Sequence, residues 1–370
     1  MPLHILVAPD KFKGTLTAQT AAEAIRRGWL SGRPADHVEL LPMSDGGDGF
    51  GAILSGILGA QVQRVQTLDA AHRPCEAEWG WERSGRTAIL EAARINGLAQ
   101  LPPGKYHPFE LDTFGLGAAL HAARALGAAR CLMGVGGSAT NDAGFGVARA
   151  CGCRFLDAHD REIERWTELE ALDRIELPPR ELFGEFIVAV DVQNPLLGPE
   201  GCARVYGPQK GLRAEDFPLA DRSLSRLAEV VQKQLHLNSA EEPGAGAAGG
   251  LGFGLRSFLG ARLAPGFELF SQYAELPRRL RSTQLVLTGE GALDAQTLMG
   301  KGVGELAALC QKLNVPCIGL AGVVPDGAKA RRLFARTYAL TPDLTTAEQA
   351  KGDAAHWLEQ AAARAAREWE

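Results

Sequence analysis

The stretch Cys131–Val147, CLMGVGGSATNDAGFGV, constrains this chain more than any other. A short apolar run, Cys131–Met133, empties into Gly134, Gly136 and Gly137; Ser138, Thr140, Asn141 and Asp142 follow, and then a helix-like run, Ala143–Ala150. Glycines let backbone N–H groups approach an oxyanion with no Cβ in the way. Ser and Thr add hydroxyl donors, and the N-terminus of the next helix adds partial positive charge. A strand, a glycine-rich turn and a helix in that order describe a phosphate cradle. The competing description is a tight strand–helix turn that binds nothing.

Around this stretch the chain reads as alternating strands and helices. Leu3–Ala8 is apolar and ends at Pro9, followed by Asp10, Lys11, Lys13 and Gly14 and by a helix predicted over Ala18–Trp29. A second strand, His37–Leu41, ends in PMSDGGDG (Pro42–Gly49), and Phe50, Ile53, Leu54, Ile57 and Leu58 recur at helical spacing. Between Gln61 and Glu91 short strands joined by tight turns predict an antiparallel or mixed sheet. Further buried strands are predicted at Phe186–Val190, Leu285–Leu287 and Pro316–Leu320, with helices over Thr113–Leu126, Pro218–Leu237, Leu255–Leu263, Thr297–Leu313 and Thr346–Trp369. The segment Gly198–Gly211, with its Gln209–Lys210 pair, reads as a loop, and PGAGAAGGLGFG (Pro243–Gly254) as a glycine loop rather than a flexible linker, because it lacks serine and charge and runs into a helix. At 370 residues two domains are expected. The fold class is therefore α/β in two domains: a Rossmann-like parallel-sheet domain built from both chain ends, residues 1–62 and 283–370, and an inserted mixed-sheet α/β domain, residues 63–282.

Composition narrows the function classes. A formal net charge of −5 and no Lys/Arg run argue against a nucleic-acid partner. No stretch reaches the ~18 apolar residues of a membrane span, and MPLHILVAPDKFKG has neither the apolar run nor the basic start of a secretion signal. Seven scattered cysteines predict free thiols in a reducing cytoplasm rather than disulfides or zinc.

The predicted strand ends carry acids: Asp10, Asp45, Asp142, Asp191 and Glu290 each follow an apolar run by a few residues. Ligands of open α/β sheets bind beyond the carboxyl ends of the strands. Glycine loops for oxyanions, Lys11, Lys13, Lys210 and Lys301 for charge, and carboxylates for Mg²⁺ or a substrate hydroxyl are the parts that phosphoryl transfer needs. No Walker A pattern occurs. The rival on motif form is an NAD-dependent dehydrogenase of a small hydroxy acid: Gly134–Ala139, GVGGSA, fits G-x-G-x-x-A, and Asp157 after Arg154–Leu156 stands where a ribose-binding acid would. That reading leaves SDGGDG and TGEGALD without a role. A non-catalytic sugar-acid binder would need the loops but not the lysine–carboxylate pairing.

Six segments together resemble the glycerate kinase family of bacterial type, enzymes that phosphorylate D-glycerate with ATP. They are PDKFKGTLTA (Pro9–Ala18), PMSDGGDG, GVGGSATNDAGFG (Gly134–Gly146), DVQNPLLGPEGCARVYGPQKG (Asp191–Gly211), PGAGAAGGLG (Pro243–Gly252) and TGEGALDAQTLMGKG (Thr288–Gly302), in family order over nearly the whole chain. The resemblance implies two α/β domains, 2-phosphoglycerate as product, and glycerate and ATP as partners of a monomer or homodimer. From the residue types themselves, Gly136, Gly137, Ser138, Thr140 and Asn141 would cradle ATP phosphates. Asp191 and Asp45 would ligate Mg²⁺ or accept the hydroxyl proton. Lys11, Lys13 and Lys301 would offset phosphoryl charge or hold the glycerate carboxylate, with Asp10, Gly46, Gly47, Glu290 and Asp294 completing the substrate set. Asp48 stands where the family usually has Glu, and Ala292 where it often has a basic or polar residue.

Overall fold

The computed structural model describes residues 2–179, 181–294, 297, 302–325 and 329–369. In chain order the elements are β1 (His4–Val7), α1 (Ala18–Gly32), β2 (His37–Leu40), α2 (Phe50–Leu58), β3 (Gln61–Leu68), β4 (Pro74–Glu82), β5 (Thr87–Glu91), α3 (Ala93–Asn96), α4 (Leu116–Ala125), β6 (Arg130–Gly134), α5 (Phe145–Ala150), β7 (Arg154–Asp157), β8 (Leu172–Glu176), β9 (Glu185–Val190), α6 (Cys202–Lys210), α7 (Phe217–Leu235), α8 (Ala247–Leu259) and β10 (Arg262–Pro265). The chain then continues through α9 (Gly266–Tyr273), α10 (Leu276–Arg281), β11 (Leu285–Ala292), α11 (Gly302–Lys312), β12 (Cys317–Val323), β13 (Arg336–Thr341), α12 (Ala347–Gly352) and α13 (Ala354–Glu368).

Two compact units result, residues 1–45 with 267–370 and residues 46–266. The first holds a five-stranded sheet in the order β13-β12-β11-β1-β2, parallel throughout. From β1 the chain moves outward to β2, whereas β11, β12 and β13 step away on the other side. The carboxyl ends of β1 and β11 therefore flank a topological switch point, where ligands of such sheets bind. Helix α1 starts because Thr17 Oγ1 accepts the Thr20 N–H at 3.1 Å, and it buries Ala21, Ala22, Ile25 and Trp29. It lies against α13 at close range: a Cβ on Gly28 would stand 2.1 Å from the Glu359 carbonyl oxygen. Glycine and the alanine stripe Ala361, Ala362 and Ala365 make that approach possible.

The second unit holds a six-stranded sheet in the order β10-β9-β6-β5-β4-β3. β5, β6, β9 and β10 run parallel, and β3, β4 and β5 pair antiparallel. Its core gathers Met133, Phe145, Phe155, Val188, Leu251 and Phe253. β7 pairs with β8 in a separate two-stranded sheet.

The division differs from the sequence-based boundaries at 62/63 and 282/283. Helix α2 packs on β4 and β5, so closely that a Cβ on Gly80 would be 2.1 Å from Ser55 Oγ; the second unit therefore begins at Gly46. Helix α10 belongs to the first unit, where its Arg279 pairs with Glu39 of β2. All seven cysteines are free thiols. Among the described residues no helix is long and apolar enough to cross a membrane.

Candidate active site

In the first unit the switch point is lined with carboxylates. Asp10 follows β1 after Ala8 and Pro9 and is tied to β11 by its N–H, which donates to the Gly289 carbonyl at 2.9 Å. Its Oδ1 accepts the Lys11 N–H at 2.7 Å. The PMSD loop is pinned beside it because the Met43 N–H donates to the Pro9 carbonyl at 2.9 Å. Withdrawal from water pushes the Asp10 carboxyl up to about 7; Asp45 and, more weakly, Glu290 push the same way, against the Lys11 N–H and ammonium. Glu290, in the last part of β11, accepts the Thr297 hydroxyl at 2.8 Å, and Thr297 Oγ1 in turn accepts the Asp294 N–H at 3.1 Å. The Lys13 backbone runs past Gly291, where an added Cβ would meet its nitrogen at 3.6 Å, and the Lys13 side chain is exposed. Asp10, Lys11, Lys13, Asp45, Glu290 and Asp294 thus all belong to one unit. Lys301 lies outside the described residues.

In the second unit two glycine motifs far apart in sequence form one double loop. The Gly136 N–H donates to the Gly46 carbonyl at 3.1 Å. A Cβ on Gly136 would stand 2.6 Å from Gly47 Cα, and one on Gly46 2.9 Å from the Ala189 carbonyl oxygen. The loop therefore sits over the carboxyl ends of β6 and β9. Gly137, at φ +79°, is exposed, and the Asp48 carboxylate stands over it. Ser138 and Thr140 turn inward: their hydroxyls bond each other at 2.9 Å, and Ser138 Oγ also takes the Asn96 amide at 3.3 Å. Asn141 is fully buried, and neither its Nδ2 nor its Oδ1 has a partner. Asp191 directly follows β9 and is exposed.

Two residues carry structural roles hidden in the sequence. Asp142 is buried and accepts the Thr113 N–H and hydroxyl and the Gly146 N–H at 3.0, 2.7 and 2.9 Å. It caps α5; burial, then Asp112, raises its carboxyl to about 6. Glu91, at the end of β5, accepts the Gly49 and Gly51 N–H groups at 3.1 Å each and so anchors the start of α2. Glu91 ends a run of apolar strand residues, and nothing local marks it as a cap. Asp157 is likewise a turn residue: the Arg161 N–H first, then His159 and the Arg161 side chain, hold its carboxyl down to about 2. A dinucleotide fold needs that acid on a strand beside β6, but the neighbours of β6 are β5 and β9. The dehydrogenase reading therefore finds no support.

Lys210 closes α6, a helix where the sequence predicts a loop; Pro208 sits inside it, and Gly211 at φ +108° ends it. The Lys210 ammonium is buried and donates to the Thr140 carbonyl at 2.6 Å. Burial lowers its pKa to about 8, against the raising influence of Cys202 and Asp142. Below about 8 the folded protein must keep a buried charge, whereas the unfolded chain holds the proton up to about 10.5. Between those values the unfolded state binds more protons, so this residue makes stability rise with pH. Differential scanning calorimetry from pH 8 to 10 should show that rise reduced in Lys210→Met.

The sequence profile described as the glycerate kinase family matches residues 5–370. The chain belongs to the glycerate kinase family. A glycerate kinase of Halalkalibacterium halodurans is 36% identical over 364 residues, 97% of this chain and 96% of that protein. A glycerate 2-kinase of Escherichia coli is 36% identical over 329 residues, 88% and 86% respectively. A crystal structure described as a glycerate kinase 2 from Salmonella typhimurium LT2 superposes with a TM-score of 0.84 at 32% identity, covering 99% of this chain and 98% of that one. As a member of this kinase family the chain is a phosphotransferase with the two-domain α/β fold described above.

Proposed function

We propose that this kinase transfers the γ-phosphoryl group of ATP to the 2-hydroxyl of D-glycerate, giving 2-phosphoglycerate and ADP. The observation that carries the reading is the placement of Asp10, Asp45 and Glu290 at the switch point of a parallel sheet in a glycerate kinase family member. The bond formed joins the substrate oxygen to the γ-phosphorus; the bond broken links that phosphorus to the β,γ-bridging oxygen. The hydroxyl proton passes to a carboxylate, and Asp10 is the acid whose surroundings favour taking it near neutral pH. Lys11 and Lys13, with Lys301, are assigned to the carboxylate of glycerate and the charge of the phosphoryl group. Gly136 and Gly137 are assigned to the phosphates through backbone contacts.

The donor chemistry fits Mg²⁺, which takes hard oxygen ligands. Among the described residues no three His, Cys, Asp or Glu side chains converge as a ready cage. That suits an ion held by one or two carboxylates, with substrate phosphates and water supplying the rest. Asp45 in the first unit and Asp191 in the second are each a candidate carboxylate for it. Bound there, the ion would offset charge on the phosphate chain. Excess EDTA is expected to abolish glycerate-dependent ADP release, and added Mg²⁺ to restore it, in a coupled assay for ADP. ADP release that proceeds unchanged in EDTA would remove the metal from the proposal.

A further inference from the structure

A cavity of about 900 Å³ opens in the second unit between residues 98–111 and 208–213. Its walls are mixed, with Glu110 a carboxylate among them. Tyr106 and Pro102, Pro103, Pro108 and Pro208 give it flat apolar surface, while Lys105, Arg213 and Lys210 bring cationic groups. Lys105 and Arg213 are exposed at its rim, and Lys210 is buried. The cavity adjoins the glycine loop through its own lining residues: the Leu98 N–H donates to the Gly137 carbonyl at 2.9 Å, and Lys210 Nζ to the Thr140 carbonyl at 2.6 Å. Asn141, next along that loop, holds its amide buried without a partner, and so does the Oδ1 of Asn96, whose Nδ2 bonds Ser138. Buried amide groups left unpaired by the chain mark positions where a water or ligand atom completes the hydrogen bonding.

We propose that this cavity takes the nucleoside triphosphate, with the base against Tyr106 and the prolines and the phosphate chain directed to Lys210 and the glycine loop. The inference rests on the kinase reading above and adds the location of the nucleotide within one unit. The volume lies in the range of small-molecule and cofactor sites, and aromatic and proline surface together with Lys105, Arg213 and Lys210 offers partners for both the base and the phosphates of a nucleotide. Tyr106 is half-buried, and Lys105 and Arg73 stand 5.3 and 5.6 Å from its ring centroid, which gathers cationic charge beside the aromatic wall. An anion near Lys210 would also relieve the cost of keeping its ammonium buried.

The test compares Tyr106→Ala and the double variant Lys105→Ala/Arg213→Ala with the parent protein. Steady-state KM values for ATP and glycerate are measured, together with equilibrium binding of a fluorescent N-methylanthraniloyl ATP in the absence of glycerate. Each variant is expected to raise the KM for ATP and the Kd of the analogue about tenfold, with the KM for glycerate within twofold and melting unchanged. Lys210→Met should weaken the analogue more than Lys210→Arg; the exposed rim variants decide the matter if either buried change prevents folding. An unchanged KM for ATP in well-folded rim variants, or a rise confined to the KM for glycerate, overturns the assignment. Displacement of the analogue by inorganic phosphate as readily as by ATP overturns it too, because the cavity is then only an anion site. If the parent protein does not phosphorylate glycerate yet loses analogue binding in the same variants, the nucleotide site stands and the glycerate reading fails.

Discussion

Asp10→Asn should lower kcat by about 10²-fold or more at saturating ATP and Mg²⁺, the scale of losing a general base, without lowering the melting temperature. The asparagine keeps an oxygen for the Lys11 N–H, which donates at 2.7 Å, so a residue that merely shapes the turn would be replaced at little cost. What it loses is the charge and the capacity to take a proton. The sign on stability follows from the raised carboxyl. Between the ordinary value near 3.8 and about 7 the folded protein binds more protons than the unfolded chain, so stability falls as pH rises through that window. At pH 8, without Mg²⁺, the ionised Asp10 is a burden beside Asp45 and Glu290 that the asparagine removes. At pH 4 the two proteins should melt alike. A kcat within a few-fold of the parent would make Asp10 a turn residue and leave Asp45 and Asp191 as the acids to test.

Gly254→Val should lower the melting temperature by about 6 °C or more, the consequence of a cost of about 3 kcal/mol in a unit of this size. Gly254 lies in α8, and a Cβ there would stand 2.3 Å from the Ala143 carbonyl oxygen and 2.7 Å from Gly144 Cα. Both are backbone atoms at the start of α5 and cannot rotate away. The same face brings Gly249, at φ +72°, so close that a Cβ would be 1.9 Å from the Thr140 carbonyl. The glycine run at 243–254 is thus the surface on which residues 140–144 rest. In a flexible linker the valine would be harmless, and a melting temperature within 1 °C of the parent would point to that reading.

How much of this was legible in the sequence depends on the range of the interactions involved. Strands β1, β2, β5, β6, β9 and β12 announce themselves as apolar runs bounded by turn residues, and their acids or glycines follow at the ends. The parallel order also follows, since strand–helix alternation leaves few other connections. What could not be read is what distance in sequence conceals. β10 lies within a segment whose apolar spacing also suits a helix. Helix α6 contains Gly207 and Pro208 and still forms, because its buried side, Cys202, Ala203 and Lys210, is held by the rest of the unit. The terminal run breaks into α12 and α13 where Asp353 caps the second helix by accepting the His356 N–H. In the site, residue types were legible and partners were not. Ser138 and Thr140 look like phosphate donors but bond each other, and Asp142 looks like a catalytic acid but caps α5. Asp10 read as one acid among several until its neighbours Asp45 and Glu290 came together.

The central claim is that this family member phosphorylates the 2-hydroxyl of glycerate, and the product reports on it directly. Purified protein is incubated with D-glycerate, ATP and Mg²⁺, and the mixture is followed by ³¹P and ¹³C NMR. The account predicts ADP and a phosphomonoester coupled to C2, 2-phosphoglycerate, formed in equal amounts. A phosphomonoester on C3, or no ADP with glycerate present while other hydroxy acids are phosphorylated, would contradict it.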